Sequence, residues 1–142
     1  VAPLFNMGMQ GRPLAAVRDY IISKLLVRKA ALSPKERARL EDVSAFMAPE
    51  QYFNAGVLMF DCDAIRQEAG LLAALEDLAA ASDAKWGDQD HLNRLFAART
   101  LLLNPTYNSS WARTGRHQKY IHRLGGAITE VQPLRNTILH FH

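Results

Sequence analysis

Short, continuously apolar stretches alternate along the chain with stretches whose apolar residues recur at helical spacing. Residues 13–17 are such an apolar run and predict a buried strand. In the segment that follows, Ile21, Leu25 and Leu26 lie on one face of a predicted helix. A second helix is predicted after Ser33, because this serine is followed by proline and, three positions on, by the glutamate of a capping box.

The second half of the chain continues this alternation. Residues 52–61 end in an uninterrupted apolar run, which is expected of a strand covered on both faces. A helix of about twenty residues is predicted next, capped by Asp61 or Asp63, and Gly70 inside it costs about 1 kcal/mol relative to alanine. The predicted buried stripe of this helix consists of Ile65, Ala69, Leu72, Leu75 and Ala79. The remaining predictions are a helix from about Asp88, strands at residues 100–103 and 137–142, and a loop at residues 107–126.

Strands that alternate with helices indicate an α/β architecture. A length of 142 residues suits one domain with a single core, so one domain is expected over residues 1–142. The longest apolar runs fall short of the roughly 18 residues that a membrane-spanning helix needs. The single cysteine, Cys62, excludes an internal disulfide and fits a reducing compartment, so we expect a cytoplasmic protein.

Basic residues are concentrated in residues 24–39 and 113–123, although the formal net charge is only +3. Such clusters attract phosphate groups, or they are the solvated faces of helices. Lys24, Arg28 and Lys29 also suggest peripheral contact with the inner face of an anionic membrane, with core packing of the same helix as the competing reading. No recognised nucleic-acid-binding motif is present in the sequence, and nucleic acid is not an expected partner.

Asn54, Ala55 and Gly56 precede a predicted strand and are the first candidates for ligand contact. Small residues let a ligand approach the backbone closely, and the Asn54 amide offers a donor and an acceptor to a hydroxyl-rich partner. The competing reading is an ordinary turn into a strand.

The second candidate site is the start of the helix near Asp88, where the sequence reads Asp-Gln-Asp-His-Leu-Asn. Polar side chains in the first turn of a helix bind hydroxyl groups while they cap exposed amides. An acidic helix start that favours the helix dipole explains Asp88 and Asp90. It leaves Gln89 and Asn93 unexplained.

His140 and His142 form the third candidate site, because alternate residues of a strand lie on the same face. Imidazoles join carboxylates in binding divalent ions. The competing readings are ordinary strand histidines and the start of an affinity tag. His91, His117 and His122 lack paired spacing and a Cys-x-x-Cys companion, which argues against a zinc finger.

The order of these motifs resembles glycosyltransferase family 8. The matching segments are Leu-Ala-Ala-Val-Arg-Asp from Leu14, Phe-Asn-Ala-Gly-Val-Leu from Phe53, Asp-Gln-Asp-x-Leu-Asn from Asp88, Asn-Pro-x-Tyr-Asn from Asn104 and Ile-Leu-His-Phe from Ile138. The resemblance implies a GT-A fold and transfer of a sugar from a nucleotide donor, commonly UDP-linked, to a saccharide or other hydroxyl acceptor. It also implies retention of anomeric configuration and use of Mn²⁺ (or Mg²⁺).

The resemblance further implies roles for particular residues. His140 matches a metal-ligand histidine, and Asp19 matches a residue that lines the site. Asp88 and Gln89 match residues near the reacting carbon. The expected donor-sugar contacts are Asn54, Ala55 and Gly56.

The Asp-x-Asp motif of the family and its nucleoside-binding half are expected before Val1. This chain is therefore expected to be the incomplete, carboxyl-side part of a GT-A-like domain, which binds donor weakly and is inactive alone. The competing interpretations are a non-catalytic module that binds anionic partners and a degenerate family member retained as a scaffold. Sugar transfer requires that residues 54–56, Asp88, Gln89 and His140 surround a common pocket.

Overall fold

The computed structural model describes residues 2–110, 113–134 and 138–140. Its strands are β1 (Leu14–Arg18), β2 (Phe53–Phe60), β3 (Thr100–Leu103), β4 (Ser109–Ser110) and β5 (Leu139–His140). Its helices are α1 (Ala2–Phe5), α2 (Tyr20–Val27), α3 (Pro34–Ser44), α4 (Cys62–Gln67), α5 (Leu71–Leu75), α6 (Leu78–Asp83), α7 (Asp88–Phe96), α8 (Thr114–Arg123) and α9 (Ile128–Val131). The predicted α/β architecture is confirmed.

Strand β1 lies at the centre of a sheet with the order β2-β1-β3. It runs antiparallel to β2, with Leu14 opposite Phe60, and parallel to β3, with Leu14 opposite Thr100. All five residues of β1 are buried. Because α2 begins directly after β1, the end of this central strand directs Asp19 to the edge of the sheet where the candidate site lies.

Strand β2 is covered on both faces, as predicted, but its burial is incomplete. Leu58 packs against a cluster that includes Phe96, whereas Val57 packs against a second cluster that includes Leu103. The strand is the edge of the described sheet, and Phe60 at its end is 38% exposed. The apolar run therefore indicates that both faces of β2 are covered, but it does not indicate that the strand is fully buried.

The prediction of one long helix after β2 is wrong. The chain instead forms α4, α5 and α6, and Gly70 lies between the first two with φ of 83°, outside helical geometry. Asp61 is the cap, since its carboxylate accepts from the Ala64 amide. Of the predicted buried stripe, Ile65 is buried, whereas Leu72 is 49% exposed because the helix axis changes direction at the break.

The loop predicted at residues 107–126 is also wrong, because α8 occupies half of it. His117 and Ile121, one turn apart, are the buried residues of this helix. The ring of Tyr20 in α2 makes an edge contact with His117, with centroids 5.5 Å apart, and packs near Tyr120 at 5.8 Å. His117 packs where an amphipathic helix usually has an aliphatic residue. The helical spacing of apolar residues is therefore not recognisable in this segment, and a loop is predicted instead.

The first two predicted helices are confirmed. The capping box before α3 is formed by Ser33 and Glu36, and Leu40 and Val43 are buried as expected. In α2, Leu25 is 2% exposed and packs with α3 in the core, so it is not available to a membrane surface. In the part of the chain that the structure describes, no helix has the length and apolarity needed to traverse a bilayer.

Candidate functional site

The side-chain amide of Gln89 joins three segments of the chain. Its Oε1 atom accepts from the Ala55 amide at 3.1 Å and from Asn54 Nδ2 at 3.3 Å. Its Nε2 atom donates to Asp19 Oδ2 at 3.3 Å and to the Tyr52 hydroxyl at 3.2 Å. These contacts use both acceptor sites and both donor protons of the amide, so they fix which way it faces.

Asn54, Ala55 and Gly56 lie within β2 and not before it as expected, and Asn54 is held there by contacts on both ends of its amide. Its Oδ1 atom accepts from the Gly56 amide at 2.8 Å and from Asn108 Nδ2 at 2.7 Å. The first contact is a local Asx-type turn that residues of this kind favour. The second connects β2 to the 3₁₀ turn Pro105–Asn108, which follows β3.

Asp19 belongs to the site and also caps α2. Its Oδ1 atom accepts from the Ile22 amide at 2.8 Å, which satisfies one of the free amides at the helix start. This contact fixes the carboxylate so that Oδ2 points to Gln89. The residue is 7% exposed and lines the cavity described below.

Tyr52, Asp90 and Arg39 form a polar network that contacts Gln89 through the Tyr52 hydroxyl. The Tyr52 hydroxyl donates to Asp90 Oδ1 at 2.5 Å and accepts from Arg39 Nη2 at 2.8 Å. Arg39 Nη2 also lies 3.3 Å from the same Asp90 oxygen. Burial, followed by the hydrogen bond to Asp90, raises the pKa of Tyr52, so its hydroxyl keeps its proton at neutral pH.

Asn93, which the dipole argument left unexplained, has a structural role. It is fully buried, accepts from the Phe53 amide at 2.9 Å and donates to the Phe53 carbonyl at 2.8 Å. Its second amide proton goes to the Gln89 carbonyl at 2.9 Å. Asn93 therefore pairs with the first residue of β2 as a neighbouring strand would, and it attaches α7 to β2.

Asp19 and Asn54, which both contact Gln89, line a cavity of about 290 Å³, named the site cavity here. Its polar lining comes from Arg18, Asp19, Asn54, Asn108, Arg113 and His117. Arg113 lies at the start of α8 and His117 lies within it. Because this segment is predicted to be a loop, the sequence analysis does not include them among the site residues. The signal that could have revealed them is the His117–Ile121 spacing of one helical turn.

Arg18, which lines the site cavity, is paired with a buried carboxylate. Arg18 Nε lies 2.6 Å from Glu130 Oε2, and Arg18 also donates to the Glu50 carbonyl. Burial, and then the positive charge of Arg18, lowers the pKa of His117 to about 4, so the imidazole is neutral at physiological pH. The Arg113 guanidinium lies 5.4 Å from the ring centroid of Tyr20.

The structure brings Asp19, Asn54, Ala55, Gly56 and Gln89 together. Asp88 is exposed in the first turn of α7, next to Gln89 in the chain, and its side chain makes no hydrogen bond or ion pair with the described residues.

His140 is described only in its backbone, which pairs with Ser110 in the β4–β5 sheet. Strand β4 directly follows Asn108, so the His140 backbone lies near the segment that contacts Asn54. His142 lies outside the described residues.

The described residues do not form a ligand set for a metal ion. Across residues 2–110, 113–134 and 138–140, no three His, Cys, Asp or Glu side chains come together in a suitable group. The metal role of His140 therefore stays a prediction.

The chain is similar in fold to solved glycosyltransferases. It matches LgtC in complex with donor and acceptor sugar analogues with a TM-score of 0.63 and 21% identity, over 99% of this chain and 46% of LgtC. An active-site mutant of LgtC, in which glutamate replaces glutamine, matches with the same score over 47% of its chain. The apo bifunctional glycosyltransferase WbbM matches with a TM-score of 0.60 and 23% identity, over 78% of this chain and 20% of WbbM.

The chain thus spans less than half the length of either neighbour, and the fold it shares with them is GT-A-like. Among curated proteins, no sequence matches this chain significantly. The family model described as glycosyl transferase family 8 matches residues 1–127, in agreement with the resemblance seen in the motifs. The chain therefore belongs to glycosyl transferase family 8.

Proposed function

We propose that the protein containing this chain transfers a sugar from a nucleotide donor, UDP-linked, to a hydroxyl group of a saccharide acceptor with retention of anomeric configuration. Family membership supports glycosyl transfer in general. The observation that carries the proposal is the convergence of Asp19, Asn54 and Gln89 through direct hydrogen bonds beside one cavity. LgtC, which shares the fold, was solved with donor and acceptor sugar analogues and has a glutamine in its active site.

The contacts of Gln89 support a positioning role rather than a nucleophilic one. Its carbonyl oxygen already accepts two hydrogen bonds, from Ala55 and Asn54, and a neutral amide is a weak nucleophile. One of its N–H groups orients the Asp19 carboxylate, and the other donates to the Tyr52 hydroxyl. We assign Gln89 to holding the sugar-binding groups in place, a contribution that orientation makes to rate.

Asp19 is the charged group best placed to act on the sugar. Its carboxylate lines the site cavity, accepts hydrogen bonds from sugar hydroxyl groups and stabilises positive charge that develops at the reacting carbon. Asn54 would bind a hydroxyl group beside it. The amides of Ala55 and Gly56 are used within the site, so these residues would contact the donor sugar through their other backbone atoms. Asp88, exposed beside Gln89 in the first turn of α7, is assigned a place near the reacting carbon on the resemblance alone.

Mn²⁺ (or Mg²⁺), with His140 as one ligand, is part of the proposal. Such an ion neutralises charge on a departing diphosphate when it is bound. The described residues alone do not supply its ligand set, and the roles given above for Asp19, Asn54 and Gln89 do not depend on it.

The proposal is tested by titrating the isotope-labelled chain with millimolar UDP-glucose or UDP-galactose and following its NMR spectrum. We expect the amide signals of Asn54, Ala55 and Gly56 and the side-chain signals of Gln89 to shift together. Gln89→Glu should abolish the shifts of the residue 54–56 amides, whereas Gln67→Glu, at an exposed position on α4, should keep them. Shifts confined to surface lysines, or none at residues 54–56, would contradict the proposal.

A further inference from the structure

A groove adjoins the site cavity on the far side of Ile21. It has a volume of about 320 Å³ and lies between α2, α3 and the segment before α7. Ile21 lines both the groove and the site cavity, so the two are adjacent on the surface of the molecule. The groove residues used below are Ile21, Lys24, Lys35, Arg39, Lys85 and Trp86.

Two exposed apolar side chains give the groove a surface suited to sugar rings. Trp86 is 48% exposed and Ile21 is 47% exposed. The guanidinium of Arg39 lies 4.4 Å from the Trp86 ring centroid, which fixes the orientation of the indole. An exposed indole beside an exposed aliphatic group packs against the C–H faces of a pyranose, and exposed apolar surface of this kind marks binding sites.

The groove has an excess of positive charge. Both of its carboxylates are engaged: Asp42 lies 2.5 Å from Lys85, and Glu36 accepts from the backbone and hydroxyl of Ser33 at 2.9 Å. Neither Lys24 nor Lys35 forms an ion pair within 4.0 Å in the described part of the chain. The groove is therefore electrostatically complementary to an anion.

Arg39 connects the groove to the candidate site. Its Nη1 atom is buried without a hydrogen-bond partner in the described structure, whereas its Nη2 atom donates to the Tyr52 hydroxyl that contacts Gln89. Arg39 also lines the groove, so its guanidinium contributes positive charge to this surface. An anionic group bound beside Trp86 would thus contact the residue that supports Gln89.

We infer that the groove binds an acidic oligosaccharide as the continuation of the acceptor in the site cavity. This inference rests on the proposed function, and it adds the charge class of the acceptor and the residues that select it. A flat anionic membrane is a poorer fit, because the apolar residues of α2 such as Ile22 and Leu25 are in the core and the basic surface is concave.

The test compares tetragalacturonate with its methyl ester, which has the same sugar rings without the charges. We expect tetragalacturonate to shift the indole N–H signal of Trp86 and the amides of Ile21 and Lys24 in NMR spectra of the labelled chain. The ester should bind about tenfold more weakly, because the contribution of a few solvent-exposed ion pairs is lost. Trp86→Ala should weaken the binding of both compounds.

The variant Lys24→Gln/Lys35→Gln should bind tetragalacturonate several-fold more weakly, with a thermal midpoint like that of the parent chain, since neither lysine is paired. Lys119→Gln, at an exposed position on α8 outside the groove, is the matched control and should bind like the parent. Equal affinity of the acid and the ester, or no effect of the double substitution, would overturn the inference.

Two further outcomes separate this inference from the proposed function. If UDP-sugars shift Asn54 and Gln89 but tetragalacturonate does not shift Trp86, the groove inference fails and the proposed function stands. If phosphatidylglycerol vesicles shift the Trp86 signal and tetragalacturonate does not, the groove is a membrane contact and the inference is wrong. If tetragalacturonate binds the groove as described but UDP-sugars leave Asn54 unchanged, the groove is a saccharide site and the transfer proposal fails.

Discussion

Gln89 Nε2 and Asp19 Oδ2 lie 3.3 Å apart, although 70 positions separate the two residues in the chain. Asp19 is fixed by the helix that it caps, and Gln89 is fixed by three other partners. The contact is therefore formed between two groups that are each held independently. Such a site needs little rearrangement when a sugar binds.

Gln89→Glu should destabilise the chain by about 1–3 kcal/mol, because a carboxylate replaces the N–H groups that Asp19 and Tyr52 require and adds like-charge repulsion. Urea unfolding at pH 7 measures the change. The control Gln67→Glu should change the free energy of unfolding by less than about 0.5 kcal/mol, since Gln67 is exposed. Equal stability of the two variants would show that the amide contacts do not hold the site.

Tyr52→Phe removes the hydroxyl group that joins Gln89, Arg39 and Asp90. We expect a loss of about 1–3 kcal/mol and a broadened or shifted Gln89 side-chain signal, because buried partners lose hydrogen bonds. Tyr120→Phe is the control, since its hydroxyl makes no hydrogen bond with the described residues. A Gln89 signal that is unchanged in Tyr52→Phe would contradict the supporting role of the network.

His117 should make the chain less stable in acid. Its folded-state pKa of about 4 lies below the ordinary value of 6.5, so the unfolded chain binds the proton first as the pH falls. Stability is then lost between about pH 6.5 and pH 4, by up to about 3 kcal/mol. His117→Gln should flatten this part of the stability profile, whereas His122→Gln, exposed on the same helix, should retain it. A slope that persists in His117→Gln would show that another group causes it.

Gly70 and Gly115 should respond oppositely to alanine. No atom lies within 4 Å of an added methyl group at either position, but Gly70 has φ of 83°, which alanine adopts at a cost of about 1 kcal/mol or more. Gly70→Ala should therefore lower the thermal midpoint. Gly115→Ala, in the first turn of α8, should raise it, because alanine favours the helix by up to about 1 kcal/mol. Stabilisation by Gly70→Ala would instead support a continuous helix after β2.

Features encoded within a few neighbouring residues could be predicted from the sequence. The capping box at Ser33 and the strand at Leu14 belong to this class, whereas Asn54 and Gln89 are singled out by the resemblance of their segments to the family. The break at Gly70 could not be predicted, because the glycine penalty is small and packing decides whether the helix continues.

The contacts of Tyr52 with Asp90 and Arg39 could not be predicted from the sequence either, because they join residues far apart in the chain and no local pattern indicates them. Helix α8 was missed because a buried histidine took the place of an aliphatic residue.

The pairing of Asn93 with Phe53 has a consequence for how this protein can vary. The Asn93 side chain bonds α7, which carries Gln89, directly to β2, which carries Asn54. The distance between Gln89 and Asn54 is therefore not set by the length of the connecting residues 61–87 alone. Helix α6, which has no buried residue, can change its length or sequence without moving the two amides apart. Diversity among proteins with this arrangement should therefore accumulate in α6, while replacement of Asn93 should loosen the helix from the strand.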